Sequence, residues 1–308
     1  MPDKPYAIFI MGPTASGKTD LAVYLHERMD CEIISVDSAM VYRDMDIGTA
    51  KPDKTLLEKV PHRLINICDP VESYSAARFQ DDANRAIRDI LDRDKIPVLV
   101  GGTGLYFRAL EQGLAELPDA NYRIRASLEE QARETGWADM HARLRKVDPE
   151  AAARINENDP QRIQRALEVY EITGKNMTDL LASGRKKAFP YPIKKIILAP
   201  ADRSILHDRI KTRFLQMLKD GLVEEVESLY RRGDLSLNLP SMRLVGYRQV
   251  WRYLDGQTKY EEMQEHAIVA TRQLAKRQIT WCRSENGAEW YDALEKGIFT
   301  KILENIEK

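Results

Sequence analysis

A phosphate-binding loop near the N-terminus constrains the fold of this chain more than any other feature. Residues 12–19 read GPTASGKT, which matches the pattern G-x-x-x-x-G-K-[ST], and they follow the apolar run Ala7–Met11. The pattern requires a strand before the loop and a helix after it, and we predict that helix over roughly Lys18–Met29. All the features of the pattern are present: the strand, the loop, the lysine, the hydroxyl and the helix. The sequence therefore predicts a pyrophosphate or triphosphate site at this loop.

Four positions of the loop have clear physical roles in holding an anion and its metal ion. Gly12 and Gly17 allow a tight turn in which backbone N–H groups point inward, and the helix dipole adds positive potential. Lys18 supplies a point charge, and the hydroxyl of Thr19 is a ligand for Mg²⁺, the cofactor that we expect. The predicted phosphate-binding residues are Gly12, Pro13, Thr14, Ala15, Ser16, Gly17, Lys18 and Thr19.

Short runs rich in isoleucine and valine predict buried parallel strands. They are Tyr6–Met11, Glu32–Val36, Arg63–Ile67, Pro97–Val100 and Lys195–Leu198. Helical periodicity between them, as in Ser75–Asp94, makes strand and helix alternate, which predicts an α/β fold. We therefore expect a P-loop NTPase-like parallel sheet flanked by helices, with its ligand at the carboxyl ends of the strands.

The long gap between the fourth and fifth strands reads as helix and predicts an insertion. Its helical stretches are Arg123–Thr135, Trp137–Val147, Pro149–Asn156 and Pro160–Thr173. We divide the chain into a catalytic core with C-terminal helices, residues 1–106 and 195–308, and a helical insertion, residues 107–194. After the fifth strand the chain reads as helix again, including Glu261–Arg283.

Composition and cysteine use indicate a soluble, cytoplasmic protein. No apolar stretch approaches the roughly 18 residues that span a bilayer, and the N-terminus lacks a signal-peptide pattern. Cys31, Cys68 and Cys282 lie far apart with no C-x-x-C spacing, which favours reduced thiols and argues against structural zinc. We expect a monomer with no membrane partner.

Two basic segments stand out on a chain whose net charge is only −1. Residues 161–195 carry a net charge of +5 and residues 241–283 carry +4. Their polar and basic clusters are Gln161, Arg162, Gln164 and Arg165; Arg243 and Arg248; and Arg272, Lys276 and Arg277. Such segments are suited to binding a polyanion such as a nucleic acid, although ordinary solvent-exposed helix faces give the same pattern.

Three further features fall near the predicted ligand crevice. Asp37 ends the second strand, where it could bind Mg²⁺ through water, act as a general base or simply cap its loop. Arg209 and Arg213 share one predicted helix face, which suits either a clamp on phosphate oxygens or a solvated surface. The run GGTG at 101–104 permits either close approach to a ligand or a sharp turn into a helix.

Six strings occur in order across nearly the whole chain: GPTASGKT, DSAMVYRDMDIGTAKP, GGTGLYFRAL, DPQRIQRALEVYEITGK, SMRLVGYRQ and TRQLAKRQITW. Together they closely resemble the bacterial tRNA dimethylallyltransferase (tRNA isopentenyltransferase) family, from about Tyr6 to Arg283. The combination of the second and fifth strings is the most specific. The resemblance implies transfer of a dimethylallyl group from dimethylallyl pyrophosphate to N6 of the adenosine 3′-adjacent to the anticodon, in tRNAs that read codons beginning with U.

The resemblance also implies roles for the residues at matching positions. Thr14–Thr19 would hold the diphosphate and Mg²⁺, and the implied catalytic residues are Lys18, Thr19, Arg213 and Asp37, the general base. The implied tRNA contacts are Asp37, Ser38, Ala39, Met40, Thr103, Arg125, Gln161, Arg162, Ile163, Gln164, Arg165, Arg243 and Arg248. Ala39 and Met40 stand where many members carry Met-Gln, so the chain departs from the family there.

Two other functions share part of this pattern. A small-molecule P-loop kinase using ATP would have the loop, the parallel sheet and a helical lid. A non-catalytic RNA-binding module would use a nucleotide as a switch. Neither requires Asp37 within DSAMVYR or the glycine run at Gly101, which favours the prenyltransferase.

Overall fold

The chain forms two compact units. The computed structural model describes residues 5–182 and 189–308. Residues 1–4 and 183–188, which include three of the basic residues of the segment 161–195, lie outside the described residues. The core unit comprises Met1–Leu110 and Pro190–Lys308, and the helical unit comprises Glu111–Phe189. The predicted insertion, residues 107–194, thus extends a few residues beyond the helical unit at both ends.

A six-stranded parallel sheet organises the core unit. Its strands are β1 (Ala7–Met11), β2 (Cys31–Val36), β3 (His62–Arg63), β4 (Ile96–Gly101), β5 (Ile193–Ala199) and β6 (Ala288–Asp292), in the order β3-β2-β4-β1-β5-β6. The predicted α/β class with a parallel sheet is confirmed. Because β1, β2 and β4 are parallel neighbours, their carboxyl ends meet at one edge of the sheet, where the phosphate loop, Asp37 and Gly102 follow them.

Helices connect these strands and fill the helical unit. In chain order they are α1 (Lys18–His26), α2 (Lys54–Lys59), α3 (Ala76–Leu91), α4 (Gly104–Gln112), α5 (Tyr122–Thr135), α6 (Trp137–Val147), α7 (Pro149–Arg154), α8 (Pro160–Thr173), α9 (Met177–Ala182), α10 (Arg203–Lys219), α11 (Leu222–Tyr230), α12 (Tyr247–Leu254), α13 (Tyr260–Cys282) and α14 (Ile298–Glu307).

Both faces of the sheet are covered, as its apolar strands require. Side chains alternate between the faces along β1. Ile8 and Ile10 pack with α1 and α14 residues such as Leu21 and Ile302. Phe9 points the other way and meets Phe107 of α4, with 5.1 Å between the ring centroids. A sheet buried in this way holds the loops at its carboxyl edge on a rigid base.

Two predictions about strands were wrong. The third strand was predicted over Arg63–Ile67 but covers only His62–Arg63, because Leu64 and Asn66 adopt positive φ angles of 64° and 58°, which end an extended strand. The stretch Ala288–Asp292 was read as part of a helical C-terminal region but forms β6. This edge strand is partly exposed and lacks the apolar run by which buried strands are recognised.

The helical unit has a hydrophobic core of its own. Leu128, Leu144, Ile163 and Leu167 pack together there, and the Ile163 side chain is completely buried. Its place on α8 at helical spacing from Leu167 explains the burial. The prediction that Ile163 contacts tRNA is therefore wrong for its side chain, which is a core residue.

We expect Ile163→Ala to lower the free energy of unfolding of the helical unit by about 2–5 kcal/mol, because it leaves a cavity in this core. Denaturant unfolding followed by circular dichroism measures the change. The neighbouring Arg162→Ala is the control, since the Arg162 side chain is 70% exposed and pairs with Asp159 across one turn. Equal stability of Ile163→Ala and the control would contradict the assignment of Ile163 to the core.

Candidate active site

The phosphate loop leaves β1 and turns tightly before α1. Gly12 and Gly17 have φ angles of +151° and +90°, which strain any residue with a side chain. A Cβ atom on Gly12 would also lie 2.2 Å from the carbonyl oxygen of Leu198 in β5. Only glycine therefore fits at position 12, where the loop passes against the neighbouring strand.

Polar groups in the loop fit a bound phosphate. The Ser16 hydroxyl is buried, and no described residue hydrogen-bonds to it. The N-cap of α1, Gly17, makes no side-chain hydrogen bond, so the start of the helix keeps N–H groups for an anion. Phosphate oxygens would satisfy both the buried Ser16 hydroxyl and the N–H groups at the start of α1.

The residues present also fit Mg²⁺ held jointly with a diphosphate. Thr19 and Asp37 line the same cavity and offer a hydroxyl and a carboxylate. Across residues 5–182 and 189–308, no group of three or more His, Cys, Asp or Glu residues could hold a metal ion by itself. Mg²⁺ commonly takes one or two protein ligands, and its other ligands are substrate phosphates and water.

Two partly desolvated cations lie beside the loop. Lys18 Nζ donates to the Pro13 carbonyl at 2.5 Å. Burial lowers the pKa of Lys18 from 10.5 to about 8, and the nearby Asp37 carboxylate only partly offsets this effect. Burial likewise lowers the pKa of Arg213, against the opposing charges of Asp37 and Asp20. The positive charge of Arg213 also lowers the pKa of Lys18, and a diphosphate would relieve this repulsion between the two cations.

Asp37 follows β2 and is fixed by its own loop. Its Oδ1 accepts hydrogen bonds from the backbone N–H groups of Ala39 (2.8 Å) and Met40 (3.3 Å). No residue in the described part of the chain donates to Oδ2. The carboxylate therefore caps its loop with Oδ1 and leaves Oδ2 uncommitted. Of the three sequence-based alternatives, loop capping occurs, and it is compatible with either of the other two.

Two adjoining cavities join these groups. The larger, about 910 Å³, is lined by residues 14–19, Asp37, and both Arg209 and Arg213 of α10. The two arginines thus line the phosphate-loop cavity, as a clamp on phosphate requires. The smaller cavity, about 340 Å³, shares Thr14, Asp37 and Arg213 with the larger one. Its other lining residues include Ala39, Thr103, Arg243 and the apolar side chains of Ile210, Phe214, Met217, Leu244 and Leu274.

The loop between Asp37 and Pro52 is fastened to α11 by a single carboxylate. Glu225 Oε2 accepts from the N–H groups of Asp46 (2.8 Å) and Ile47 (2.7 Å), and Oε1 accepts from that of Gly48 (3.1 Å). Oε1 also accepts from the Tyr247 hydroxyl at 2.6 Å. These bonds hold Gly48 and its neighbours in the cavity wall, a role that no sequence pattern indicated.

Removing this anchor should destabilise the core unit. We expect Glu225→Ala to lower the free energy of unfolding by about 1–3 kcal/mol, because it leaves three N–H donors and a buried hydroxyl without their acceptor. Thermal and denaturant unfolding measure the loss. Glu224→Ala is the matched control, since Glu224 is the exposed neighbour on the same helix. A loss no larger than that of the control would contradict the anchoring role.

The glycines at positions 101, 102 and 104 make room for neighbouring groups of the protein. A Cβ on Gly101 would lie 2.0 Å from the Val36 carbonyl oxygen, and on Gly104 it would lie 2.3 Å from the Trp281 ring. A Cβ on Gly102 would lie 2.2 Å from Gln278 Nε2. Of the two sequence-based alternatives, the sharp turn into a helix occurs, since β4 ends at Gly101 and α4 begins at Gly104. The groups that approach these glycines closely belong to β2 and α13.

Most of the predicted RNA-contacting residues of the core unit line the smaller cavity, namely Asp37, Ser38, Ala39, Thr103 and Arg243, whereas Met40 lines the larger one. The Thr103 hydroxyl accepts from the Ser38 backbone N–H at 3.0 Å, beside Asp37. Arg243 is exposed and its Nε donates to the Leu237 carbonyl at 3.1 Å. Arg248 is half-buried, and none of the described residues accepts a hydrogen bond from its Nε. The structure thus groups Asp37, Thr103 and Arg243.

Two of the corresponding residues of the helical unit, Arg125 and Arg165, bind a buried acid, whereas Gln161 and Arg162 are exposed. Glu168 is completely buried and accepts from Arg125 (2.9 and 3.1 Å) and from Arg165 (2.8 Å). Burial alone would raise the pKa of Glu168, but these hydrogen bonds hold it below its usual value. Gln164 donates to the Arg125 carbonyl at 3.2 Å. Arg125 and Arg165 are therefore positioned by a structural network, which the sequence did not reveal.

The parallel sheet and phosphate loop place the chain in the P-loop-like class of α/β folds. The family described as IPP transferase matches residues 40–285, and the one described as isopentenyl transferase matches residues 5–70. The tRNA dimethylallyltransferase of Coxiella burnetii (strain Dugway 5J108-111) is 53% identical over 307 residues, covering 100% of this chain and 99% of that protein. The chain therefore belongs to the tRNA dimethylallyltransferase family of prenyl-transferring enzymes.

Solved structures agree with this membership. The full-length tRNA isopentenylpyrophosphate transferase of Bacillus halodurans is 38% identical, with a TM-score of 0.72 over 99% of this chain and 96% of that one. A eukaryotic dimethylallyltransferase captured acting on tRNA is 27% identical, with a TM-score of 0.81 over 98% of this chain and 77% of that one. Within residues 5–182 and 189–308, no helix is long and apolar enough to cross a membrane.

Proposed function

We propose that this chain transfers a dimethylallyl group from dimethylallyl pyrophosphate to N6 of an adenosine in tRNA. The observation that carries the proposal is one cavity that joins a phosphate loop to Asp37, a carboxylate with an uncommitted oxygen. The names of full-length relatives support the same activity. We further propose that the adenosine is the one 3′-adjacent to the anticodon, in tRNAs that read codons beginning with U.

The first part of the proposed reaction is the departure of pyrophosphate. The bond between the allylic C1 and the bridging oxygen breaks, and its electron pair leaves with the pyrophosphate. Allylic carbon tolerates positive charge, so the protein has mainly to stabilise the leaving group. Loop N–H groups, Lys18 and Arg213 would do this, and Mg²⁺ at the Thr19 hydroxyl would supply further charge neutralisation when bound.

The second part is attack by N6 on C1. The N6 lone pair is delocalised into the purine ring, so N6 is a weak nucleophile until a proton leaves. Asp37 Oδ2 would accept that proton as the N6–C1 bond forms, while Oδ1 stays bonded to its own loop. The products are N6-dimethylallyladenosine and pyrophosphate, and the protonated Asp37 then returns its proton to water.

An adenosine stacked in an anticodon arm cannot reach an enclosed carboxylate, so we propose that it is flipped out. The smaller cavity, with Thr103 and Arg243 in its lining, would receive it beside Asp37. Recognition would depend on loop shape and splayed bases, as is usual for sequence-specific RNA binding. Arg125, Gln161, Arg162, Gln164 and Arg165 would contribute further tRNA contacts. We expect the enzyme to act as a monomer in the cytoplasm.

The test is incubation of the purified chain with dimethylallyl pyrophosphate, Mg²⁺ and tRNA that carries adenosine 3′ of its anticodon. Nuclease digestion and mass spectrometry should detect prenylated adenosine at that position, and tRNA with guanosine there should stay unmodified. Absence of the product would overturn the proposal. ATP consumption with a metabolite and without tRNA would instead favour a P-loop kinase.

A further inference from the structure

One side chain of α13 links the two halves of the site. Gln278 Oε1 accepts a hydrogen bond from the Thr14 backbone N–H at 2.8 Å, and Gln278 Nε2 donates to the Gly102 carbonyl at 3.1 Å. A primary amide is the one neutral side-chain group that offers an acceptor and a donor in this fixed arrangement. We infer that Gln278 is a positioning residue that sets the phosphate loop relative to Asp37.

The second half of the link runs from Gly102 to the carboxylate. Thr103, the next residue, accepts the Ser38 N–H at 3.0 Å, and Ser38 directly follows Asp37. The Thr103 N–H donates to the Val36 carbonyl at 3.3 Å, on the other side of Asp37. The segment 102–103 therefore braces the backbone on both sides of the base.

The surroundings of Gln278 make this link rigid. Ala275 and Ile279, on the same helix, pack against Leu206 and Ile210 of α10, and Ala15 of the phosphate loop packs on this cluster. Gly102 has no room for a Cβ atom because Gln278 Nε2 would lie 2.2 Å from it. The side-chain amide of Gln278 is therefore part of the packing contact between α13 and the turn that follows β4.

The alignment matters because the two ends of the link hold the two reacting partners. The phosphate loop fixes the leaving pyrophosphate and Asp37 fixes the attacking N6, so their separation decides whether N6 reaches C1. A misplacement of about 1 Å can reduce a rate about 100-fold. This inference rests on the proposed function for its kinetic consequence, but not for its effect on the phosphate loop.

The experiment measures binding of inorganic pyrophosphate with Mg²⁺ by calorimetry, using the full chain. Gln278→Met keeps the volume and removes both hydrogen bonds, so we expect the Kd for pyrophosphate to rise about tenfold. Gln278→Glu keeps the acceptor for Thr14 but sets a carboxylate against the Gly102 carbonyl, and we expect at least the same rise. Melting temperatures should stay within about 3 °C of wild type.

Gln273→Met and Gln273→Glu are the matched controls, because Gln273 is exposed on the same helix. They should bind pyrophosphate like wild type. In transfer assays, Gln278→Met should raise the KM for dimethylallyl pyrophosphate and lower kcat, with the KM for tRNA unchanged.

Wild-type pyrophosphate affinity in a folded Gln278→Met, or an equal loss in the Gln273→Met control, would overturn the inference. If Gln278→Met does not fold, Gln278→Glu decides by the same criterion. A wild-type chain that binds pyrophosphate but prenylates no tRNA would refute the proposed function alone, since the Gln278 comparison uses binding only.

Discussion

Asp37→Asn is expected to lower kcat for prenyl transfer by about 100-fold or more while leaving tRNA affinity nearly unchanged. Asparagine retains an oxygen that can accept the N–H groups of Ala39 and Met40, so the loop keeps its shape. It cannot accept the N6 proton, so the nucleophile stays weak. Single-turnover kinetics with saturating enzyme separates this chemical step from binding.

Asp208→Asn is the control for Asp37→Asn, because Asp208 lines the same cavity and the charge change is identical. It should alter kcat by no more than a few-fold. Asp37→Ala removes the loop cap as well, so it should be at least as slow as Asp37→Asn and less stable. Turnover of Asp37→Asn within a few-fold of wild type would remove Asp37 as the base.

Lys18→Met is expected to lower kcat/KM for dimethylallyl pyrophosphate by about 100- to 1,000-fold, because a partly desolvated cation beside the leaving group is lost. Steady-state kinetics at saturating tRNA measures this loss. Lys211→Met is the control, since Lys211 is exposed on α10. Equal losses of kcat/KM at the two positions would show that the loss comes from the overall charge of the protein and not from the position of Lys18 in the phosphate loop.

The pH dependence of the wild type tests the same lysine. Because its pKa is lowered to about 8, Lys18 is charged below that pH and neutral above it. We therefore expect kcat/KM for dimethylallyl pyrophosphate to fall as the pH rises through about 8, since this parameter reports the free enzyme. Lys18→Arg keeps its charge over the whole range, so its lower activity should not show this fall.

The positive charge of Lys18 has opposite effects on the two properties: it promotes catalysis, but it lowers the stability of the folded chain. The folded chain binds the Lys18 proton more weakly than the unfolded chain, so below about pH 8 the charged lysine opposes folding. This cost declines as the pH rises from about 8 towards 10.5.

For the catalytic prediction, a wild-type kcat/KM that stays constant up to about pH 10 would contradict the lowered pKa of Lys18.

Short sequence patterns predicted the features that depend on residues close together in the sequence. The phosphate loop, the strands β1, β2, β4 and β5 and the helix Pro160–Thr173 follow from glycine placement and from apolar runs and spacing. Asp37 was found because the carboxyl ends of parallel strands meet at one edge. Arg209 and Arg213 were found because residues four apart share a helix face.

Features that depend on distant residues could not be predicted in the same way. Thr14 and Gln278 are 264 positions apart, and Glu225 lies 178 positions from Ile47. No pattern around Gln278 distinguishes it from Gln273, although both occur in one family string. Ile163 was misassigned because the family string was assigned to RNA contact as a whole, whereas one face of its helix packs a core.

The most direct test of the central claim uses dimethylallyl pyrophosphate that carries a heavy oxygen isotope at the bridge between C1 and phosphorus. If the phosphate loop holds a leaving pyrophosphate, the carbon–oxygen bond breaks. Mass spectrometry should then find the label entirely in the released pyrophosphate, and the tRNA should gain an unlabelled dimethylallyl group. Label that stays with the dimethylallyl carbon would show phosphorus–oxygen cleavage and contradict the account.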